Sequence, residues 1–292
     1  MDLFSINSIK DILGRHGFHF SKSLGQNFLT KRYICEQIAE FSGITRDDCV
    51  LEIGPGIGSL TSVLAESAKK VVTVEIDRAL LPVLSETLSE YDNIKVINSD
   101  IMKCDLKKIV DEEFDGEKPK VCANLPYYIT TPILSFLIES KQFSSITTMI
   151  QKEVALRICA KPKTADYGAF SVFIQYYTEP ELLFKVSPDN FIPQPKVDSA
   201  VVMLSLREKP PVSPLSEEFF FSVVKASFAQ RRKQLVNGLH SAFGNVLSKE
   251  GLTDILISLG HKPTVRGEEL SISEFSDISD MIYKKTEEKR SF

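Results

Sequence analysis

A glycine-rich turn between an apolar run and an amphipathic segment constrains the fold of this chain more than any other feature. Val50–Ile53 is a short apolar run that stops at Gly54, and three glycines alternate over Gly54–Gly58. Apolar residues then recur at helical spacing as far as Ala68. Glycine permits backbone angles and a close approach that larger side chains forbid. In an open α/β sheet, ligands bind beyond the carboxyl ends of the strands, where this turn is expected to lie.

The spacing of the three glycines limits which cofactors the turn could bind. It is Gly-x-Gly-x-Gly, at Gly54, Gly56 and Gly58, whereas dinucleotide-binding folds carry Gly-x-Gly-x-x-Gly. The difference disfavours NAD as a cofactor. The loop alone is a weak signal, and a tight turn that binds nothing is the alternative.

Strand and helix patterns alternate along the first two thirds of the chain, which predicts a doubly wound, mainly parallel α/β sheet. The remaining predicted strands are 71–74, 94–97, 121–123, 146–150, 182–186 and 200–206. A proline-rich linker follows at 209–214, and the segments 219–239 and 252–259 are predicted to be helical. We therefore expect a sheet domain over residues 1–207 and a smaller helical C-terminal domain over 208–292.

Two carboxylates follow predicted strands at this same edge of the sheet. Glu75 ends the second strand, 21 residues after Gly54. A carboxylate at that position can accept hydrogen bonds from both ribose hydroxyls of a nucleoside. Asp100 closes the third strand and could accept a hydrogen bond from an adenine amine. The alternative is that both residues are solvated charges at strand ends.

The segment Asn124–Tyr127, with the sequence Asn-Leu-Pro-Tyr, carries the most specific chemistry. An exocyclic amine of adenine is a poor nucleophile because its lone pair is delocalised into the ring. The amide oxygen of Asn124 and the carbonyl of Leu125 could accept its N–H hydrogens and stabilise the positive charge that develops during attack. Pro126 stiffens the loop, and Tyr127 offers a ring on which a base stacks. A turn with a buried tyrosine is the alternative.

Composition excludes several classes of protein. The chain is 43% hydrophobic and 25% charged, which supports a packed core. No run approaches the roughly 18 apolar residues of a membrane span, and residues 1–17 lack a signal-peptide stretch. The five cysteines include no Cys-x-x-Cys pair, so we expect reduced thiols, no metal site and a cytoplasmic location.

Further segments combine with these motifs into a family resemblance. They are Leu24–Leu29, Asn190–Ser199 and Ser227–Leu235, beside the loop Glu52–Gly58 and Asn124–Tyr127. Over about residues 24–239, the chain resembles the KsgA-type adenine N6,N6-dimethyltransferases of small-subunit ribosomal RNA. Each motif alone is weakly specific, but their combination is highly specific.

The resemblance implies a Rossmann-like methyltransferase fold with an S-adenosylmethionine site. By position, it implies that this site is formed by Asn27, Leu29, Gly54, Gly56, Glu75, Asp100 and Asn124. Relatives carry either histidine or asparagine at the position of Asn27. The resemblance also implies that Phe191 stacks on the target base opposite Tyr127, although the residues alone are equally consistent with a core phenylalanine.

The activity that the resemblance implies is dimethylation of N6 of two adjacent adenosines near the 3′ end of small-subunit ribosomal RNA, late in subunit assembly. The expected partner is an immature small ribosomal subunit, the expected state is a monomer, and no membrane is involved. One alternative is the related large-subunit enzyme that confers macrolide resistance and shares the Asn-Leu-Pro-Tyr segment. Another is a non-catalytic RNA-binding assembly factor, although the intact Asn124, Pro126 and Tyr127 favour a catalyst.

Two basic segments are candidates for RNA contacts in a chain of net charge −4. Arg231, Arg232 and Lys233 are consecutive cations, and their presence favours the small-subunit enzyme. Residues 141–163 hold five cations against Glu153 alone. A charge run is usually a solvated face, but in an RNA enzyme we expect contacts with phosphates.

Overall fold

The computed structural model describes residues 1–21, 24–230 and 233–290. The chain divides into two compact units, of which the first comprises Met1–Ala155 with Glu179–Leu206. The second comprises Leu156–Thr178 with Arg207–Phe292. No helix of the described residues combines the length and the apolar character needed to span a membrane.

The first unit is built from alternating helices and strands. These are α1 (Ile6–Arg15), β1 (Phe28–Leu29), α2 (Arg32–Phe41), β2 (Cys49–Ile53), α3 (Ser59–Ser67), β3 (Lys70–Glu75), α4 (Leu81–Thr87), β4 (Ile94–Asn98), α5 (Leu106–Glu113), β5 (Lys120–Asn124), α6 (Thr130–Ser140) and β6 (Ser145–Gln151). Helix α7 (Lys152–Cys159) and strand β7 (Thr178–Val186) each continue from one unit into the other. Strands β8 (Phe191–Ile192) and β9 (Ser199–Leu206) complete the first unit.

Seven strands form the main sheet, in the order β4-β3-β2-β5-β6-β9-β7. The pairs β3–β4, β2–β3, β2–β5 and β5–β6 are parallel, and β6–β9 is antiparallel. This confirms the predicted doubly wound, mainly parallel sheet. The strand order reverses between β2 and β5, and such a switch point leaves a crevice beyond the carboxyl ends of the two strands. The glycine turn follows β2 and Asn124 ends β5, so both motifs lie at this crevice.

The second unit is helical. It contains α8 (Ala169–Tyr177), α9 (Glu217–Ala229), α10 (Leu235–Phe243), α11 (Lys249–Ser258) and α12 (Ile272–Arg290).

The division of the chain differs from the expected one, 1–207 and 208–292, because residues 156–178 group with the C-terminal helices. Aromatic rings hold them there. The ring centroids of Tyr176 and Phe220 are 5.2 Å apart, and those of Phe173 and Phe221 are 5.7 Å apart. The amino-acid composition does not change where the chain leaves the sheet and returns to it. The sequence therefore gives no sign that residues 156–178 belong to the second unit.

The segment 219–239, predicted to be helical, forms parts of two helices with a break between them. Helix α9 ends at Ala229, and α10 begins at Leu235, whose N–H donates to the carbonyl of Val265 at 2.8 Å. Gly238 allows α10 to approach α9 closely, since a Cβ there would lie 2.3 Å from the carbonyl oxygen of Ala226.

We expect opposite effects from two glycine-to-alanine changes in these helices. Gly238→Ala should destabilise the protein by about 1–3 kcal/mol, because the added methyl group overlaps rigid backbone. Gly251→Ala in α11 is the control, since the nearest atom to its Cβ would be 3.6 Å away. It should stabilise the protein by about 0.5–1 kcal/mol through helix propensity. Urea denaturation followed by circular dichroism measures both, and equal effects would contradict the close approach at Gly238.

Candidate active site

A cleft lies in the first unit at the switch point of the sheet, where open α/β sheets bind their ligands. Six of the predicted cofactor residues line it: Asn27, Leu29, Gly54, Gly56, Glu75 and Asn124. Leu125, Pro126 and Tyr127 line it as well. The fold therefore brings together four segments that lie far apart along the chain.

The glycine turn gives the cleft its open floor. Gly54 has a φ of +67°, and a Cβ there would meet no atom within 4 Å, so the backbone borders free space. Gly56 has a φ of +61°, and its Cβ would lie 2.9 Å from two ring carbons of Phe28. Phe28 lies in β1, which pairs antiparallel with β8. Gly56 is therefore required both by its backbone angle and by the ring packed on it.

Glu75 presents a buried carboxyl group at the end of β3. It is 4% exposed, and one of its oxygens, Oε1, accepts a hydrogen bond from the Asp77 N–H at 2.7 Å. Burial disfavours the charged form and raises the pKa of Glu75 to about 7. The carboxyl is therefore near its midpoint at neutral pH.

A second carboxyl group, that of Glu52, lies in the lining of the same cleft. It is 1% exposed, and burial raises its pKa to about 8. Its Oε2 has no hydrogen-bond partner among the described residues. An orphaned buried carboxyl oxygen is costly, and such atoms in native structures commonly await a ligand or water.

Asn124 is held in one orientation by a hydrogen bond. Its Nδ2 donates to the backbone carbonyl of Asn27 at 3.0 Å. A carbonyl only accepts hydrogen bonds, so the nitrogen and not the oxygen of the amide must face Asn27. The Asn124 Oδ1 accepts no hydrogen bond from the described residues, and it is left as an acceptor at the cleft.

The rest of the Asn-Leu-Pro-Tyr segment forms a rigid corner. The Leu125 N–H donates to the carbonyl of Met149 at 3.1 Å. The Leu125 carbonyl accepts no hydrogen bond from the described residues. The carbonyl of Pro126 accepts from the Thr130 hydroxyl at 3.0 Å, at the start of α6. The Tyr127 ring is half-buried in the cleft lining. The corner thus offers two oxygen acceptors and an aromatic face.

Comparison with known proteins identifies the family. The family model described as "Ribosomal RNA adenine dimethylase" matches residues 17–281. The chain belongs to this family. A protein of Oceanobacillus iheyensis named Ribosomal RNA small subunit methyltransferase A is 48% identical over 277 residues, with 94% of each chain covered. A Bacillus mycoides protein of the same name is 49% identical over 284 residues, covering 96% of this chain and 97% of that protein.

Two solved structures have a similar fold. A dimethyladenosine transferase from Plasmodium falciparum gives a TM-score of 0.74 at 24% identity, covering 88% of this chain and 98% of that one. The 23S rRNA methyltransferase ErmE gives a TM-score of 0.67 at 28% identity, covering 88% and 99%. These similarities confirm the methyltransferase-type fold that the sequence predicts.

Two residues that the family resemblance implies for the site do not line the cleft of this dimethylase. Asp100 follows β4, and its Oδ1 accepts from the Met102 N–H at 3.0 Å and caps a 3-10 turn. Phe191 is 2% exposed and pairs with Leu29 between β8 and β1. Its position in the core matches the alternative interpretation of this residue. Contact with a ligand stays a prediction for both residues.

The basic tripeptide is only partly described. Arg231 and Arg232 lie outside the described residues. The N–H of Lys233 donates to the carbonyl of Gln230 at 2.8 Å, in the break between α9 and α10 and not on a continuous helix. Within residues 1–21, 24–230 and 233–290, no group of three or more His, Cys, Asp and Glu is placed to hold a metal ion.

Three residues at the site of this dimethylase have contacts or burial that the sequence pattern does not predict. Gln26 donates from Nε2 to Asp77 Oδ2 at 2.7 Å and accepts from the Ser21 N–H at 2.9 Å, which ties the 24–29 segment to the end of β3. The burial of Glu52 was missed, and so was the contact of Ser199 with Tyr127. All three lie inside segments that carry the family resemblance, which was the available signal.

Proposed function

We propose that this protein transfers methyl groups from S-adenosylmethionine to the N6 atoms of adenosines in small-subunit ribosomal RNA. The observation that carries the proposal is the Asn124 amide, whose hydrogen bond to Asn27 leaves an oxygen acceptor at the cleft. Membership of the dimethylase family supports the chemistry. The names of relatives at 48% and 49% identity support the small-subunit substrate.

The cleft fits S-adenosylmethionine by the chemistry of its donors and acceptors. That molecule carries ribose hydroxyls, an adenine amine and an ammonium group, all of which donate hydrogen bonds. Two buried carboxyl groups, those of Glu75 and Glu52, lie in the cleft lining, and the Glu52 Oε2 has no partner among the described residues. Asn27, Leu29, Gly54 and Gly56 would hold the rest of the molecule, and Asp100 would receive the adenine amine. When bound, S-adenosylmethionine would supply an electrophilic methyl group, and S-adenosylhomocysteine would leave as the carbon–sulfur bond breaks.

The residues of the chain activate the nucleophile by hydrogen bonding. The Asn124 Oδ1 and the Leu125 carbonyl accept the two N6 hydrogens of the target adenine, which orients the nitrogen lone pair. As positive charge develops on N6, these fixed oxygens stabilise it without reorganising. Pro126 keeps the two acceptors at a fixed separation, and Tyr127 stacks on the base. The proton leaves to water after N6 has gained its charge, so no strong base is required.

Glu75 gives a test of the cofactor assignment. We expect Glu75→Gln to weaken S-adenosylmethionine binding by about 1.5–3 kcal/mol, roughly 10- to 150-fold, because the charged acceptor is lost. In the wild type, the carboxyl ionises above its pKa of about 7 and is protonated below it. The wild-type dissociation constant should therefore rise as pH falls from 8 to 6, and the ratio of variant to wild type should shrink. Calorimetry at several pH values measures this, and a pH-independent ratio would contradict the role of Glu75.

The substrate is tested by mapping the modified nucleoside. The protein is incubated with labelled S-adenosylmethionine and with immature small subunits or large subunits, and the RNA is digested to nucleosides. We expect N6,N6-dimethyladenosine in small-subunit RNA alone. Label in large-subunit RNA would favour the alternative of a large-subunit enzyme, such as the 23S rRNA methyltransferase ErmE. No label in either RNA would favour a non-catalytic assembly factor.

RNA binding by Arg231, Arg232 and Lys233 is part of the proposal, supported by three consecutive cations in an acidic chain. Each lost phosphate contact should lower the slope of log affinity against log salt by roughly 0.7–0.9. We expect the triple alanine variant to bind the subunit more weakly and with a shallower slope, while its cofactor affinity is unchanged. A control variant, Lys284→Ala/Lys285→Ala in α12, removes two exposed cations and should leave the slope unchanged. Equal slopes for the wild type and the triple variant would contradict RNA contacts at residues 231–233 and would favour contacts at residues 141–163.

Three further features of the proposal come from the family resemblance. They are action on an immature subunit late in assembly, action as a monomer, and a cytoplasmic location. The nucleoside experiment compares immature with mature small subunits, and sedimentation of the purified protein gives its assembly state. Preference for mature subunits, or a stable dimer, would contradict the first two.

A further inference from the structure

Ser199 is a buried hydroxyl that none of the steps proposed above uses. It is the first residue of β9 and is 0% exposed. Its Oγ lies 2.5 Å from the phenol oxygen of Tyr127, a residue 72 positions away along the chain. The contact joins the far end of the Tyr127 side chain to the main sheet.

The sheet places Ser199 beside the catalytic corner. Ser199 pairs with Gln151 at the end of β6, and Asn124 pairs with Met149 on the other side of the same strand. Because β9 runs antiparallel, its first residue lies at the edge where the parallel strands end. The segment that carries Tyr127 and the serine that contacts its phenol therefore lie on either side of β6.

The position of Ser199 is itself fixed. The Lys152 N–H donates to the carbonyl of Asp198 at 3.0 Å, and the Lys152 ammonium lies 3.1 Å from Asp198 Oδ2. On the other side, Ala200 pairs with Ile150. The backbone on both sides of Ser199 is thus held by hydrogen bonds and by the strand register.

A hydrogen bond at the phenol oxygen constrains the orientation of the whole ring. Burial raises the pKa of the Tyr127 phenol, so it stays protonated at neutral pH and one of the two hydroxyls donates to the other. The oxygen lies on the axis through Cβ and the ring, so fixing its position limits rotation about χ1. Because a phenol O–H lies close to the plane of its ring, a hydrogen-bond partner in a fixed place also favours one rotation of the ring about χ2. A ring that stacks on a base needs its face held at one angle, and this contact supplies that constraint.

We propose that Ser199 is the positioning residue of the target-base site, which holds the Tyr127 ring at the angle that stacks on the adenine while touching neither RNA nor cofactor. The inference rests on the proposed function. The competing explanation is that the bond only stabilises the fold. The two explanations differ in what they predict for the reaction of a folded variant.

The test uses two variants that each remove one hydroxyl and keep the ring: Ser199→Ala and Tyr127→Phe. Each should lower the single-turnover rate of methyl transfer about 2- to 10-fold, as expected for one hydrogen bond. The double variant should be no slower than either single one, because the same bond is lost. Ser205→Ala, the same change on β9 at the end remote from the cleft, is the control and should react at the wild-type rate.

Two further readouts separate positioning from stability. The cofactor dissociation constant should be unchanged in both variants. With 2-aminopurine in place of the target adenine, both variants should change the emission of the bound RNA in the same direction, because the base stacks differently. Ser199→Ala and Tyr127→Phe proteins that are folded and react at the wild-type rate, or whose effects add, would overturn the proposal. A wild-type protein that transfers no methyl group would instead overturn the proposed function, and the role of Ser199 with it.

Discussion

The hydrogen bond from the Asn124 side chain to the carbonyl of Asn27 is the interaction on which the site depends. It joins residues 97 positions apart and closes the gap between the 24–29 segment and the end of β5. Because a carbonyl cannot donate, the bond fixes which end of the amide faces the cleft. The same segment is tied to the other side of the cleft by Gln26 and Asp77. One short segment thus orients the acceptor for the target base and borders the cofactor cleft.

The two buried carboxyl groups in the cleft lining carry a cost to the fold. Burial raises the pKa of Glu52 to about 8 and that of Glu75 to about 7, both above the unfolded value of 4.5. Between these values the folded protein binds more protons than the unfolded one, so the two groups lower stability as pH rises through about 7 and 8. Hydrogen-bond donors from a bound nucleoside and ammonium group would relieve this cost. Under the proposed function, cofactor binding at these groups therefore stabilises the fold.

The sequence predicted those features of the site that depend on local structure. Gly54, Glu75 and Asn124 each end or follow a strand. Because parallel strands bring their carboxyl ends to one edge of the sheet, the strand pattern predicts that these three residues lie close together. Features set by distant pairing were not predicted. The contact of Ser199 with Tyr127 depends on the antiparallel register of β9, and the grouping of residues 156–178 depends on aromatic packing against α9. The break after Ala229 was missed because the residues on both sides are apolar.

We propose that fixed oxygen acceptors, and above all that of Asn124, accelerate the methyl transfer step itself. The most direct measurement is the single-turnover rate of Asn124→Ala at saturating S-adenosylmethionine and RNA, where losses in binding no longer affect the rate. Removing one preorganised group at a developing charge typically costs about 10²–10³ in rate, and we expect a loss of that size. A variant rate within a few-fold of the wild type would contradict the account.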